Sequence, residues 1–511
     1  MTGSARREPL LLQAAVALAC GTILTLALPP TGFWPALLAL VPLFALTASA
    51  AGPRRAFALG FWFGVGFFGL YLLWLPASLS QPDWFGPFFW ALYPPLVAIL
   101  GCFWGLTCSL SRLVGGRGRA TLLLLPAAWT LSELLRASGY FAFPWGTLGY
   151  MWLDTPVAQL ADLIGVNGLS LLSLALVALV AVPFSGSGRS ARGAGLLAPL
   201  AALLLLGGSW LAGSQRHWNA EPTTHTALLV QPDLDPFGRL GTPRSELLVQ
   251  TQLTADGLRG GTPDLVVWPE GSLLGLDVEG PGGPDILREI QAAAPESPFV
   301  IGGRGWSERG AHNRAWLLSG SQLSGSYDKS VLVPFGETWP FMDSLAGLYR
   351  FVFGLLQIGM LQNTAPGLDR PALPFAAGAA GVYICYESVF PQVTADLARN
   401  GAGVLVNITN DAWFARGNGA RQHYDMGRMR AIETRRYVLR AGLDGITGVV
   451  DPAGTSVAEL PRDTPGSLTA DFSLSERQTP YVRHGSLLWL VLGVWLLAGT
   501  GSRFLLGGMP D

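Results

Sequence analysis

A helix that crosses a bilayer needs about 20 mostly apolar residues, and eight stretches of this chain approach or meet that requirement. They lie near 10–28, 33–50, 57–75, 87–109, 120–136, 166–184, 195–213 and 486–502. The connecting loops alternate in charge. Arg6 and Arg7 precede the first stretch, Arg54 and Arg55 follow the second, Arg112, Arg117 and Arg119 follow the fourth, and Arg189 and Arg192 follow the sixth. The loops at 29–32 and 76–86 carry no arginine, and 137–165 carries none beyond Arg136 at its edge. Basic loops remain on the cytoplasmic side. The N-terminus is therefore expected inside, residues 214–484 outside after seven crossings, and the C-terminus inside again after the eighth. No short apolar segment with a small-residue cleavage site precedes the first long one, so the N-terminus is expected to be retained.

Composition agrees with a polytopic membrane chain: half the residues are hydrophobic, 13% are charged and the mean hydropathy is +0.38. A net charge of −1 gives no case for nucleic acid as a partner. Hydrophobicity is uneven, since residues 1–213 are nearly free of charge while 214–484 hold most of the Asp, Glu and Arg. The expected domains are thus 1–213 with seven transmembrane helices, 214–484 outside the cytoplasm, and 485–511 with the last helix and a short tail.

The external segment alternates short apolar runs with Gly/Pro turns and helical stretches, as an α/β or α+β domain does. Strands are expected at 226–231, 264–270, 299–303, 314–319, 381–387 and 403–409, and a helix at 423–441 from the spacing of Met426, Met429, Ile432 and Val438. Three runs carry unusual chemistry at or near their ends. Glu270 follows "VVWP", Lys329 precedes "SVLVPFGE", and Cys385 lies within "GVYICYE".

Lys329 is the only lysine among 33 basic residues. Lysine presents a compact ammonium on a thin stem, whereas arginine presents a wide planar fork, so a small pocket discriminates between them. A coding bias that left one lysine by chance is the bland account. Cys20, Cys102 and Cys108 fall within apolar stretches, which leaves Cys385 as the sole cysteine of the external domain. No disulfide can form within that domain, although such a compartment favours them. A lone cysteine in an apolar run is equally consistent with a small buried hydrophobe. A nucleophilic thiolate needs a base for its proton and a cation for the developing oxyanion, and Glu270 and Lys329 supply one of each.

"VVWPEGSL", "YDKSVLVPFGE" and "GVYICYESVF" resemble the Glu-Lys-Cys signature of the nitrilase superfamily. With seven spans before them and one after, the chain resembles the bacterial apolipoprotein N-acyltransferase family. "WTLSELLR" (129–136), "FPWGTLGY" (143–150) and "NITNDAWF" (407–414) fit the same frame. The resemblance implies an α-β-β-α sandwich for the external domain, in the inner membrane of a bacterium. It also implies a ping-pong transfer, the last step of lipoprotein maturation. Glu270 acts as general base, Cys385 takes an acyl chain from a phospholipid as a thioester, and Lys329 stabilises the oxyanion. The α-amine of a diacylglyceryl-cysteine apolipoprotein then accepts the acyl group. The family pattern is broken at 231–240, which lacks a tryptophan, and at 441–447, where "AGLDGIT" keeps only Gly445, Ile446 and Thr447 of the usual motif.

Among supporting residues, the resemblance makes Glu337 a second acidic group near Lys329, orienting it or the base, against a plain ion pair. Tyr386 and Glu387 either fix the strand end by hydrogen bonds or meet substrate. Trp413 lines the acyl entrance or packs in its loop. Glu433 and the arginines of 428–440 read as a helix salt-bridge network, and Glu133 is expected to pair with Arg136. The apolar stretch 341–362 is either core or an arm lying on the outer bilayer surface. Five dispersed histidines give no metal-ligand spacing, and no metal or organic cofactor is expected. The chain is expected to be a monomer. The competing readings are a membrane-embedded nitrilase-type amidase or hydrolase that resolves the thioester with water, and a transporter or scaffold whose external domain only binds.

Overall fold

The computed structural model describes residues 10–79, 88–185, 190–216, 222, 224–234, 242–356, 363–414 and 417–506. Arg6, Arg7, Arg189, and parts of the stretches discussed at 76–86, 231–240 and 341–362 lie outside these. Two compact units are present, one of residues 1–216 with 484–511 and one of residues 217–483.

The first unit is helical: α1 (Leu10–Leu24), α2 (Leu40–Ser49), α3 (Pro53–Tyr71), α4 (Trp74–Leu79), α5 (Phe88–Gly115), α6 (Arg119–Arg136), α7 (Ala161–Ala181) and α8 (Ser190–Ser214), rejoined by the C-terminal helix Leu487–Leu506. Every apolar stretch read from the sequence overlaps a helix. Among the described residues, five helical segments are long and apolar enough to cross a membrane, and Trp34–Ser49 and Leu487–Gly501 are shorter apolar ones. Close approach of α3 and α5 demands glycine: a Cβ on Gly60 would stand 2.3 Å from the Trp104 carbonyl oxygen. Such contacts compensate for the missing hydrophobic drive between helices in lipid. The C-terminal helix packs Leu492 with Ala127 and Leu171, and Trp495 Nε1 donates to the Leu123 carbonyl at 2.8 Å.

Glu133 and Arg136, one turn apart on α6, both fasten the "FPWGTLGY" segment. Glu133 Oε1 accepts from the Leu148 N–H at 3.0 Å, and Arg136 donates to the carbonyls of Phe143 (2.8 Å) and Trp145. The sequence suggested a simple pair; the structure gives each residue a backbone target.

The second unit stacks two six-stranded sheets. Its strands are β1 (His225–Gln231), β2 (Leu265–Val267), β3 (Phe299–Ser307), β4 (Gly310–Ser319), β5 (Gln322–Asp328), β6 (Leu373–Phe375), β7 (Gly378–Ile384), β8 (Val404–Thr409), β9 (Val438–Gly442), β10 (Thr447–Val450), β11 (Ser456–Leu460) and β12 (Gly466–Phe472). One sheet runs β12-β1-β2-β3-β4-β5 and the other β11-β10-β9-β8-β7-β6. Each has parallel strands at its centre, β1-β2-β3 and β7-β8-β9, with antiparallel strands outside.

Strand "ALLV" of β1 is apolar on both faces because both are covered. Ala227 and Leu229 enter the layer between the sheets with Val267, Val382, Val406 and Leu439, while Leu228 and Val230 face outward with Leu247 of α9 (Pro243–Gly257) and Leu287 and Ile290 of α10 (Gly283–Ala293). This is the pattern of a doubly covered parallel strand, and each such side chain contributes roughly 1.5–3 kcal/mol on burial. Helices α12 (Pro391–Arg399) and α13 (Gly419–Thr434) lie on the other sheet, completing an α-β-β-α sandwich. A further helix, α11 (Met342–Leu356), falls between β5 and β6.

The helix expected over 423–441 ends earlier. Arg435 turns left-handed at φ 52°, and Val438 belongs to β9, where burial between the sheets overrides helical spacing. Its arginines follow that break rather than one helix-face network. Arg430 pairs with Glu433 at 3.1 Å, but Arg436 donates to the Ala402 carbonyl and Arg440 reaches Asp411 from the strand.

Candidate active site

Glu270, Lys329 and Cys385 come from different strands and end at one rim. Strand β2 stops at Val267, and Trp268-Pro269 carries the chain into a turn that presents Glu270. Lys329 is the first residue after β5, and its N–H donates to the Asn313 carbonyl at 2.9 Å. Cys385 follows β7 directly and opens the 3-10 turn Cys385–Val389, with φ at 50°. The strand expected over 381–387 therefore ends at Ile384. The left-handed turn takes the thiol out of the sheet register, a conformation that costs an L-residue about 1–3 kcal/mol.

Lys329 is fully buried. Its Nζ lies 2.8 Å from Glu337 Oε1 and 3.4 Å from Glu270 Oε1. Asn313 was not foreseen from the sequence. Its Nδ2 donates to Glu270 Oε1 at 2.7 Å and to Glu337 Oε1 at 2.8 Å. One amide thus bridges the two carboxylates that flank the ammonium. A polar residue on β4 beside the end of β5 is the only sequence trace of it. The second oxygen of Glu337 accepts from the Val333 N–H at 2.8 Å, which locks this acid to the loop after Lys329. Glu270 Oε2 is buried with no geometrically formed hydrogen bond.

Burial pushes the Glu270 carboxyl above its ordinary range; Lys329 opposes this, and Glu337 adds to it. For Lys329, burial acts to lower the pKa, but Glu270 and Glu337 outweigh it and keep the ammonium firmly charged. Burial, reinforced by the Glu270 charge and opposed by Lys329, pushes the Cys385 thiol up to about 12. Cys385 therefore rests as a thiol, and beside it stands a carboxyl group made more basic than usual. Such a combination suits proton transfer to a base during an attack rather than storage of a thiolate.

Glu387 is buried and serves the backbone. Its Oε1 accepts from Tyr327 Oη (2.7 Å), Ser330 N (2.8 Å), Ser330 Oγ (2.7 Å) and Val331 N (3.0 Å), and its Oε2 from Ile384 N (2.8 Å). One carboxylate therefore ties the strand end before Cys385 to the segment after Lys329. The Tyr386 ring packs edge-on to Phe390 with centroids 5.1 Å apart. Trp413 sits in the turn Asp411–Phe414 and is 42% exposed.

Helix α11 follows the Glu337 loop, and the large aliphatic and Phe side chains described on it are exposed. Leu348 is 55% and Phe351 70% exposed. Trp339 stacks edge-on to Tyr349 at 5.4 Å, and the Tyr349 hydroxyl donates to the Pro340 carbonyl at 2.9 Å, pinning the helix to the loop that carries Glu337.

The two departures from the family pattern meet. The Asp233 N–H donates to the Leu443 carbonyl at 2.9 Å, and the carboxylates of Asp233, Asp444 and Asp463 lie within 4.8 Å of one another. Arg462 pairs with Asp444 at 2.7 Å. Gly445 is kept because its φ is 152° and a Cβ would stand 2.6 Å from Asp411 Oδ2.

Residues 20–180 match the family model "Apolipoprotein N-acyltransferase N-terminal domain", and residues 255–480 match "Carbon-nitrogen hydrolase". The chain is 32% identical to an apolipoprotein N-acyltransferase of Allorhizobium ampelinum, over 96% of each chain. It is also 32% identical to one of Nitrosomonas europaea, over 96% of this chain and 97% of that one. Among solved structures, an amidase of the nitrilase superfamily from Nesterenkonia AN1 aligns over 53% of this chain and 98% of its own, with 18% identity and a TM-score of 0.40.

Proposed function

Since the chain belongs to the apolipoprotein N-acyltransferase family, we infer that it N-acylates apolipoproteins at the site formed by Glu270, Lys329 and Cys385. It is a membrane protein and an acyltransferase of lipoprotein biosynthesis, with lipid and lipoprotein substrates. The observation that carries the assignment of residues is the ionic cluster beside Cys385: a buried ammonium between two carboxylates, one of which has a buried oxygen without a formed hydrogen bond.

In the proposed first half-reaction, Glu270 takes the Cys385 proton as sulfur attacks the ester carbonyl of a phospholipid acyl chain. The ammonium of Lys329 faces the developing oxyanion. Collapse expels the lysophospholipid alkoxide, which recovers the proton from Glu270, and leaves the acyl group on sulfur. In the second half-reaction the α-amine of the diacylglyceryl-cysteine attacks the thioester. Glu270 removes the amine proton and returns it to the departing thiolate, so the triacylated product leaves and the thiol is restored. Glu337 and Asn313 hold Lys329 and Glu270 in register, and Glu387 holds the nucleophile's strand end.

The frame for this chemistry is eight crossings with both termini cytoplasmic, in the inner membrane, and residues 214–484 outside as the catalytic domain between 1–213 and 485–511. Helix α11 serves as an arm on the outer bilayer surface, with Leu348 and Phe351 toward lipid, and Trp413 borders the acyl path. The enzyme works as a monomer and needs neither metal nor organic cofactor. Limited proteolysis that finds α11 as resistant as the core strands in detergent would count against the arm.

The decisive experiment is mass spectrometry of the Cys385 peptide after a single turnover with phospholipid alone. The expected product is a fatty-acyl adduct that disappears when a diacylglyceryl-cysteine peptide is added, with an N-acylated peptide appearing in equal amount. An unmodified Cys385 refutes the nucleophile. Release of free fatty acid or ammonia without acylated amine makes the protein a hydrolase.

A further inference from the structure

Behind Cys385 lies a second charged cluster that the reaction above does not use. Asp411, His423 and Arg440 are all buried. Arg440 Nη2 donates to Asp411 Oδ2 at 2.7 Å and lies 3.0 Å from His423 Nδ1. Asp411 Oδ1 is 2.9 Å from the same ring nitrogen and accepts the Thr409 hydroxyl at 3.0 Å. Arg440 is steadied by Asn407 Oδ1 and by the Ile446 carbonyl at 3.2 Å. An ion pair in a dry interior is tolerable only when each member is paired and hydrogen-bonded, and here both are. Such a pair makes a rigid frame for an imidazole.

That imidazole faces the nucleophile's backbone. His423 Nε2 lies 3.0 Å from the Cys385 carbonyl oxygen and 2.7 Å from Ser388 Oγ. A carbonyl only accepts, so Nε2 carries a hydrogen and donates it. Cys385 needs such a hold, because an L-residue stays at a φ of 50° only where its surroundings over-determine it. Peptide groups are rigid planes, so fixing the carbonyl fixes the plane that follows the Cys385 Cα. On the other side, Glu387 fixes the Ile384 N–H. Burial, aided by the Arg440 charge and opposed by Asp411, holds the His423 pKa down. Nδ1 is held between Asp411 Oδ1 and Arg440 Nη2, and Nε2–H is committed to the Cys385 carbonyl, so toward Cys385 the ring acts as a hydrogen-bond donor.

We propose that His423, aligned by the Asp411–Arg440 pair, is a positioning residue for the nucleophile: its Nε2–H holds the Cys385 carbonyl and so aims the thiol without touching substrate. The proposal rests on Cys385 being the nucleophile. Its test compares two isosteric amides in the full-length enzyme. Glutamine at 423 places an N–H near the Nε2 position, whereas asparagine reaches only to the Nδ1 position.

The readout is the single-turnover rate of acyl transfer from phospholipid to Cys385, followed on its own peptide, with thermal melting as the check on folding. His423→Asn is expected to slow thioester formation about 10- to 100-fold, the scale of a misplaced reacting group, and His423→Gln to recover it to within about threefold of wild type. Equal rates for the two variants, whether both fast or both slow, overturn the proposal. If the asparagine variant does not fold, Asp411→Asn, which loosens the ring but keeps its nitrogens, takes its place; a wild-type rate there overturns the proposal equally. Failure of the wild type to acylate Cys385 would instead remove the assigned nucleophile, an outcome distinct from any difference between variants.

Discussion

Two charged networks bracket Cys385, and they are built on opposite principles. The front one holds Glu270, Glu337 and Lys329, two acids to one base, with Glu270 Oε2 buried and lacking a formed hydrogen bond. The back one holds Asp411 and Arg440, one acid to one base, with the His423 ring between them. Desolvation raises Glu270 in the front network, whereas in the back network burial is outweighed, chiefly by the Arg440 guanidinium, and Asp411 is held well below the carboxylate range. The front network is left electrostatically unbalanced and can exchange a proton. The back network is balanced, and each of its members is paired. Perturbed acids cluster at functional sites, and structural ion-pair networks perturb them too, so it is the unequal charge count that separates the two networks.

The comparison breaks most severely at Lys329. Lys329→Arg is expected to cut acyl transfer by about 10²–10³-fold, the loss typical of removing one oxyanion donor, because the wider fork has no room in a fully buried site. Single-turnover thioester formation measures this, and near-normal transfer would return the solitary lysine to coding chance. Glu270→Gln keeps the shape but cannot accept a proton, so a loss on the order of 10²-fold or more is expected. A retained rate would move the base elsewhere.

Asn313→Ala should cost less, about 10-fold in rate, since it unties Glu270 from Glu337 but leaves Glu270, Lys329 and Cys385 in place. If it proves as harmful as Glu270→Gln, the amide does more than position.

The mildest effect is in the pH profile. Glu270 acts as a base only when ionised, so the rate rises with pH through its raised pKa. The Glu337 charge contributes to that rise. Glu337→Gln should therefore move the acid limb of the thioester rate to lower pH, whatever it does to the plateau. An acid limb that stays in place would uncouple the two carboxyls.

Much of this was legible without coordinates. The apolar stretches locate the helices of the first unit because bilayer burial is a local property of about 20 consecutive residues. Glu270, Lys329 and Cys385 were legible because each stands at or near the end of an apolar strand, beside flanks that resemble a known signature. Less local features were misread. Helical spacing carried the reading on to Val438, but that residue is in β9, where sheet burial decides its state. The arginines of 428–440 looked like one helix-face network, yet Arg440 lies in β9 and pairs with Asp411. Glu387 was not misread: of the two roles the sequence left open, fixing the strand end or meeting substrate, it performs the first, spending both oxygens on hydroxyl and backbone donors from 327–331 and 384.

By itself, then, the sequence determined which residue types exist to do the chemistry and which segments must avoid water, since both follow from side-chain identity and short-range pattern. Tertiary structure alone decided which polar groups share a site. Asn313 meets Glu270 across 43 residues and Glu337 across 24, and His423 meets Cys385 across 38. Hydrogen bonds act over about 3 Å, and no periodicity along a chain encodes a contact that only two stacked sheets and a covering helix bring within that distance.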